Sequence, residues 1–321
     1  MRRFSHVIIP FLVCVLLGAA CGDDADTGAT GQPTVVVTTN ILGDVVTRIV
    51  GDAADVVTIM PVGADPHDFQ ASARQVDTIR SANVLIVNGA GFEEGLLDVI
   101  DGAESDGVAV FAAISAVPTI EFGDHDDHKD EDDHDDHDDH DHEGVDPHLF
   151  TDPARMALAA DAIADFLIEN VDGLDVEAVE ASAAAYVAEL EALDAEVEGM
   201  IEGVPAGDRI LVTNHEVFGY FADRYGFEIV GTVIPAGSTT DGASAGALAE
   251  LAETIEHEGV DAIFADTSSS NELVETLADE VGDIEVVELF SESLGDADSD
   301  GATYVAMIRT NAERITAALG S

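Results

Sequence analysis

A single lysine, Lys129, stands in the whole chain, and 11 basic side chains face 67 acidic ones, for a formal charge of -56. A face that neutralises phosphates cannot be built from so few cations, which excludes nucleic acid as a partner. The same imbalance suits a salty medium, where screening relieves the mutual repulsion of carboxylates. Only two cysteines occur, Cys14 and Cys21, so no disulfide framework is available to the rest of the chain. The apolar run Val7 to Leu17 is too short to span a bilayer. No His-Glu-x-x-His occurs, which removes the helix of a zinc protease. Tryptophan is absent as well, and that excludes nothing.

The start of the chain has the parts of an export signal. Arg2 and Arg3 are its charged end, Val7 to Leu17 its apolar centre, and Gly18-Ala19-Ala20 its small residues. Cys21, placed directly after them, resembles the cysteine of a bacterial lipoprotein signal, although Gly18 stands where Leu is usual. The resemblance implies cleavage before Cys21 and lipidation of its thiol, so residues 1–20 form the signal. An ordinary secretory signal or a signal anchor are the alternatives. Residues 21–32 read as a polar tether.

From Asp124 to Glu143 almost every residue is Asp, Glu or His. No apolar side chain there can build a core, so the run is expected to be a mobile loop inserted in folded sequence. Acidic blocks are usually solvated spacers. Histidine argues otherwise: six of the chain's 11 histidines are His125, His128, His134, His137, His140 and His142. Neutral imidazole adds little to solubility but binds borderline cations, so the loop is read as an auxiliary, weak metal binder.

The remainder, 46% hydrophobic overall, alternates strands and helices. Strands are predicted at Thr34–Thr39, Val56–Met60, Val84–Asn88 and Val108–Ala112, with helices at 41–50, about 70–81 and 92–100 between them. Helices follow at Pro153–Glu169 and Val176–Ile201. The latter carries a stripe of Val176, Val179, Ala183, Val187, Leu190, Val197 and Ile201, and at 1.5 Å per residue spans about 39 Å. A second series has strands at Ile210–Thr213, Glu228–Ile234, Ala262–Ala265 and Glu285–Phe290, with helices at 217–225, 245–258, 271–281 and 304–319. The fold class is therefore α/β: two lobes, each with a parallel four-stranded sheet flanked by helices, joined by one long rigid helix. The expected boundaries are 33–174 for the first lobe, 175–203 for the connecting helix and 204–321 for the second lobe.

Ligands of such sheets sit at the carboxyl ends of the strands. His67 follows the second strand, His215 the fifth and Glu292 the last, while His148 follows the acidic run. Each has an ordinary reading when taken alone, as a capping histidine or a helix-start carboxylate. His6 falls in the signal, and His257, late in a helix, suits the dipole there.

Together the surrounding segments are more specific. Pro66-His67-Asp68-Phe69, Asp146-Pro147-His148-Leu149-Phe150-Thr151-Asp152-Pro153, Asn214-His215-Glu216-Val217-Phe218-Gly219-Tyr220-Phe221 and Phe290-Ser291-Glu292-Ser293-Leu294 occur in this order, with Thr303-Tyr304 and Met307 beyond. The set resembles the zinc/manganese solute-binding proteins of ABC transporters, from about Pro33 to the C-terminus. The acidic His-rich insertion is similar to that of the zinc-specific members. The resemblance implies a metal held in the cleft between two lobes by His67, His148, His215 and a fourth residue, Glu292, where relatives usually have Asp. Manganese members generally have a carboxylate at the third position, so His215 favours Zn2+ over Mn2+. Glu216 does not match a ligand position. The implied partners are the permease and ATPase subunits of an importer. The implied place is the outer face of the plasma membrane, held by lipid on Cys21, or the periplasm of a cell with an outer membrane. The protein is expected to be a monomer.

The chemistry of the residues agrees. Three neutral imidazoles and one carboxylate suit a tetrahedral, closed zinc site, which leaves no position for an activated water and favours carrying over catalysis. An esterase would need Gly242-Ala243-Ser244-Ala245-Gly246 on a sharp turn after a strand, followed by an acid and then a histidine; a polar loop precedes it and only His257 follows. A metal-buffering or adhesive surface lipoprotein without a transport partner is the other alternative.

Overall fold

The computed structural model describes residues 32–122, 144–240, 242–282 and 284–320. The signal segment, Cys21 and the His-rich run from Asp124 to Glu143 lie outside them. In the first series, β1 (Thr34–Val37), α1 (Asn40–Val50), β2 (Asp55–Thr58), α2 (Ala73–Arg80), β3 (Val84–Val87), α3 (Leu97–Ser105) and β4 (Ala109–Ala112) follow one another. Then come α4 (Pro153–Asn170) and α5 (Val176–Ile201). The second series is β5 (Ile210–Thr213), α6 (Gly219–Tyr225), β6 (Glu228–Thr232), α7 (Ala245–Glu258), β7 (Ala262–Asp266), α8 (Glu272–Val281), β8 (Glu285–Leu289) and α9 (Tyr304–Leu319).

The two sheets have the same design. Their strand orders are β2-β1-β3-β4 and β6-β5-β7-β8, parallel throughout. Val36 of β1 sits between Val57 of β2 and Leu85 of β3, so the most apolar strands lie inside and the exposed β2 lies at an edge. Successive side chains of a strand point to opposite faces. Val35 and Val37 of β1 therefore enter one core while Val36 enters another with Ile79 and Ile100. The second sheet repeats this: Leu211 and Phe264 face the first core, Val212 and Ile263 a third one with Ile255 and Val274. The inner faces of both sheets thus share one continuous core with α1, α4, α5, α6 and α9.

The long helix α5 runs through that shared core. Asp175 caps its start by accepting from the Ala178 N–H. At its far end the Arg209 guanidinium donates to the carbonyls of Ile201, Val204 and Tyr225 at 3.1–3.2 Å, satisfying acceptors that a helix end leaves open. Its buried stripe is Val179, Ala183, Tyr186, Leu190, Leu193, Val197 and Ile201. Two expected members differ. Val176 lies on the same face but is exposed, because as the first residue of the helix it extends past the core, while Val187 is half-buried at the edge of a stripe that Tyr186 and Leu193 complete. Leu190 is fully buried, so Leu190→Ala should cost about 2–5 kcal/mol and lower the urea midpoint accordingly. An unchanged midpoint would contradict this packing.

Two further departures are local. The predicted helix 92–100 is a short 3-10 turn at Glu94–Leu96 followed by α3, because Phe92 leaves the helix to pack against histidines. Five strands end one or two residues before the predicted limits, as β1 does at Val37 and β8 at Leu289, while β4 and β5 end at Ala112 and Thr213 as predicted and β7 runs one residue further, to Asp266. Among the described residues no helix is long and apolar enough to cross a membrane.

Candidate metal centre

The repeated tripeptide Asp-Pro-His builds two corners of the site. In both copies the Asp Oδ1 accepts the N–H of the histidine two residues on: Asp65 for His67 and Asp146 for His148, each at 2.9 Å. Such a side-chain turn presents the imidazole without any helix or strand around it. After His148 a single 3-10 turn, Leu149–Thr151, leads to Asp152, which caps α4 through the N–H groups of Ala154 and Arg155. His215 follows β5, held by the Thr213 hydroxyl donating to its carbonyl at 2.7 Å. Glu292 follows β8, where Asn311 of α9 brackets Phe290 by accepting its N–H and donating to its carbonyl.

These four places converge. One ligating atom from each of His67, His148, His215 and Glu292 lies within 4.8 Å of the others, and all four side chains are buried. Glu292 Oε1 is 2.7 Å from His67 Nε2, 3.2 Å from His215 Nε2 and 3.4 Å from His148 Nε2. The last two approach without hydrogen-bond alignment, so Nε2 of His148 and of His215, with Glu292 Oε2, are buried polar atoms lacking a hydrogen bond. A fold does not normally bury such atoms in one place without a purpose, since each costs about 1–3 kcal/mol. Three aromatic nitrogens and a carboxylate facing a common point form a donor set for a borderline divalent cation. Glu216, His257 and Ser244 stand apart from it: His257 is exposed beside Glu258, and the Ser244 hydroxyl accepts from the Ala247 N–H as the cap of α7.

Electrostatics of the cluster follow from its closeness. Burial pushes the Glu292 carboxyl up, but His215, His148 and His67 outweigh it and hold it well below the usual range. Burial likewise opposes charge on His148, yet Asp146 and Glu292 prevail and push the ring up to about 9. His67 is raised too, its burial offset by the hydrogen bond to Glu292. Asp266, at the end of β7, is pushed up by burial and by the Glu292 charge.

Two carboxylates form a further layer that the sequence reading did not assign. Asp146 Oδ1 meets His148 Nδ1 at 2.7 Å, and Glu94 Oε1 meets His67 Nδ1 at 3.0 Å. A carboxylate on Nδ1 leaves Nε2 as the free, more basic nitrogen and fixes the ring. The sequence signal for Asp146 was the Asp-Pro-His repeat; Glu94, 27 residues from His67, gave none. Phe92 packs edge-on against His67 and His148, and Phe150 against His148, so the donors sit in an apolar collar. A hollow of about 240 Å³ lined by His67, Glu94, Phe92, Phe122 and Gly237 leads to it. Larger hollows of about 370 and 610 Å³ lie along β6 and beside Ser268–Ser270, but none of the four donors lines them.

The family described as zinc-uptake complex component A, periplasmic (ZnuA), matches residues 35–318. The manganese-binding lipoprotein MntA of Halalkalibacterium halodurans is 27% identical over 320 residues, 98% of each chain. The zinc-binding protein TroA of Treponema pallidum is 31% identical over 299 residues, 92% of this chain and 91% of that one. The iron ABC transporter substrate-binding lipoprotein MtsA of Streptococcus pyogenes is 25% identical over 322 residues, 99% of each. The solved structure of the periplasmic zinc-binding protein TroA superposes with a TM-score of 0.80 at 30% identity, covering 91% of this chain and 100% of that one. With two parallel sheets in the same two-lobe arrangement and a family match over nearly its whole length, the chain belongs to the ZnuA family of metal-binding solute-binding proteins of ABC transporters.

Proposed function

We propose that this protein is the extracytoplasmic zinc-binding component of an ABC importer. It captures Zn2+ between its lobes with His67, His148, His215 and Glu292 and delivers it to a membrane permease. The observation that carries the reading is the convergence of three buried imidazoles on one buried carboxylate, with donors left unpaired by the protein itself. Three nitrogens and one oxygen match the tetrahedral preference of zinc, whereas manganese prefers more oxygen ligands. The carboxylates on His67 and His148 support it by fixing the rings with Nε2 toward the cation. The lobes are proposed as residues 33–174 and 204–321, with 175–203 between them. Lipid on Cys21 is proposed to tether the protein outside the membrane, in keeping with relatives named as lipoproteins. The histidines from His125 to His142 are proposed to collect zinc weakly near the cleft. The described residues on either side of that run pair with each other next to His148 in the chain: Phe122 N–H donates to the Gly144 carbonyl and Asp146 N–H to that of Ile120.

A second reading, manganese or iron as cargo, is favoured by the relatives named for those metals. The deciding experiment is elemental analysis with competitive titration of zinc against manganese and iron(II), on protein lacking residues 124–143. One zinc per chain, tight and displaced by neither rival, is expected. Equal or tighter manganese or iron(II) binding would overturn the zinc assignment, and loss of tight binding with the deleted segment would make the protein a buffer instead.

A further inference from the structure

The segment that carries Glu292 belongs to the second lobe, yet it is held by the first. Asn40, at the start of α1, grips it from both ends of its amide. Its Oδ1 accepts the Leu294 N–H at 2.7 Å, and its Nδ2 donates to Ser293 Oγ at 3.0 Å and to the Pro61 carbonyl at 3.1 Å. Ser293 Oγ also accepts the N–H of Gly63 at 2.7 Å. Gly63 has a φ of 76°, a left-handed conformation that other side chains adopt rarely. Pro61 and Gly63 lie on the loop that runs from β2 to His67. One buried amide therefore ties the approach to His67 in one lobe to the residues just after Glu292 in the other. His67 and Glu292 are also the closest pair in the cluster.

We propose that Asn40 is a positioning residue for metal capture. Resting on the reading of His67, His148, His215 and Glu292 as the zinc ligands, the proposal is that Asn40 sets the separation of the His67 and Glu292 donors across the lobe boundary. Asparagine suits the role by its atoms: it offers an acceptor to Leu294 and donors to Ser293 and Pro61 on one short side chain. Aspartate has the same shape but no donor, and it sets a carboxylate against the Pro61 carbonyl. A ligand pair held a few tenths of an ångström off its best distance binds the ion less well and releases it sooner, because the tolerance of metal–donor distances is about 0.2 Å.

The test uses the full chain stripped of metal. Zinc affinity is read by competition with a chromophoric chelator, zinc release by stopped flow into excess chelator, and coordination by the visible absorption of bound Co2+. Asn40→Asp is expected to weaken zinc about tenfold to a hundredfold, mainly through faster release, and to shift the Co2+ bands. Ser293→Ala removes the acceptor without touching Asn40 and is expected to act in the same direction, more weakly. The double variant should lose less than the sum of the two, since both act through one contact. Should Asn40→Asp fail to fold, Ser293→Ala decides alone. Wild-type affinity, release and Co2+ spectrum in these variants would overturn the proposal, whatever their melting temperature, because a mere brace between lobes changes melting and leaves coordination alone. His215→Ala serves as the control for the underlying reading. Wild-type affinity there would sink the ligand set itself, whereas weak binding there beside unchanged binding in Asn40→Asp would sink only the role of Asn40.

Discussion

His215→Ala is expected to weaken zinc binding by about a hundredfold to a thousandfold. An apparent binding free energy of roughly 10–16 kcal/mol for a four-ligand zinc site divides to about 2.5–4 kcal/mol per ligand. Among the described residues no further histidine, cysteine or carboxylate joins the donor cluster, and Glu216, next to His215, stands outside it. Replacing His67, His148 and His215 together should abolish tight binding and, with it, the rise in melting temperature that zinc is expected to give the wild-type chain. The single variant is the cleaner measurement. Removing all three rings strips the fully buried Glu292 of its partners, and an unpaired buried charge costs about 3–5 kcal/mol in stability. Competitive titration at neutral pH reads the effect. A triple variant that holds zinc as tightly as wild type would end the assignment of these residues.

Acidification is expected to release the metal. In the metal-free protein His148 is pushed up to about 9 from an ordinary 6.5, and His67 is raised as well. Groups of that sign stabilise the folded, metal-free chain fully below about pH 6.5, and the contribution is lost as pH rises through their folded values. Glu292, held below its ordinary 4.5, has the opposite sign: its contribution is present above that pH and fades as pH falls through the depressed value. The proton and the cation therefore compete for the same nitrogens. Zinc binding at pH 7 should expel about one to two protons, and affinity should fall about tenfold per pH unit for each proton expelled. Calorimetry in two buffers of different ionisation enthalpy counts those protons. An affinity that stays flat from pH 8 to pH 6 would contradict the picture.

Much of this was legible in the residues, for reasons that differ from place to place. The β-branched run at β1, the alternation of strands and helices, and the long alanine-rich stripe of α5 are periodic signals, and α5 spans Val176–Ile201 as expected. His67, His148, His215 and Glu292 could be singled out because each follows the end of a strand or a recognisable segment. The order of strands within each sheet was not legible, because which strand pairs with which depends on contacts between distant segments that no single strand encodes. The burial of Tyr186 and Leu193 beside the expected stripe of α5 depends on partners in α1, α4 and α9, which no single helix encodes. Glu94 was invisible for a related reason: an exposed acid in an acidic chain carries no mark until the fold sets it on His67. Asn40 is the clearest case, since both of its grips reach across more than 250 positions of chain.

The core that both sheets share has a mechanical consequence. Swinging one half away from the other, as a clamshell does, would part α5 from the helices packed on it, α1 and α4 on one side or α9 on the other, within that one core. Such a gape would cost about 25 cal/mol for every square ångström of oily surface wetted. Metal entry and release are therefore expected to involve the few short loops that bear the candidate donors more than the body around them. A transporter that must tell a full carrier from an empty one has to feel ripples in those loops, not a change of outline.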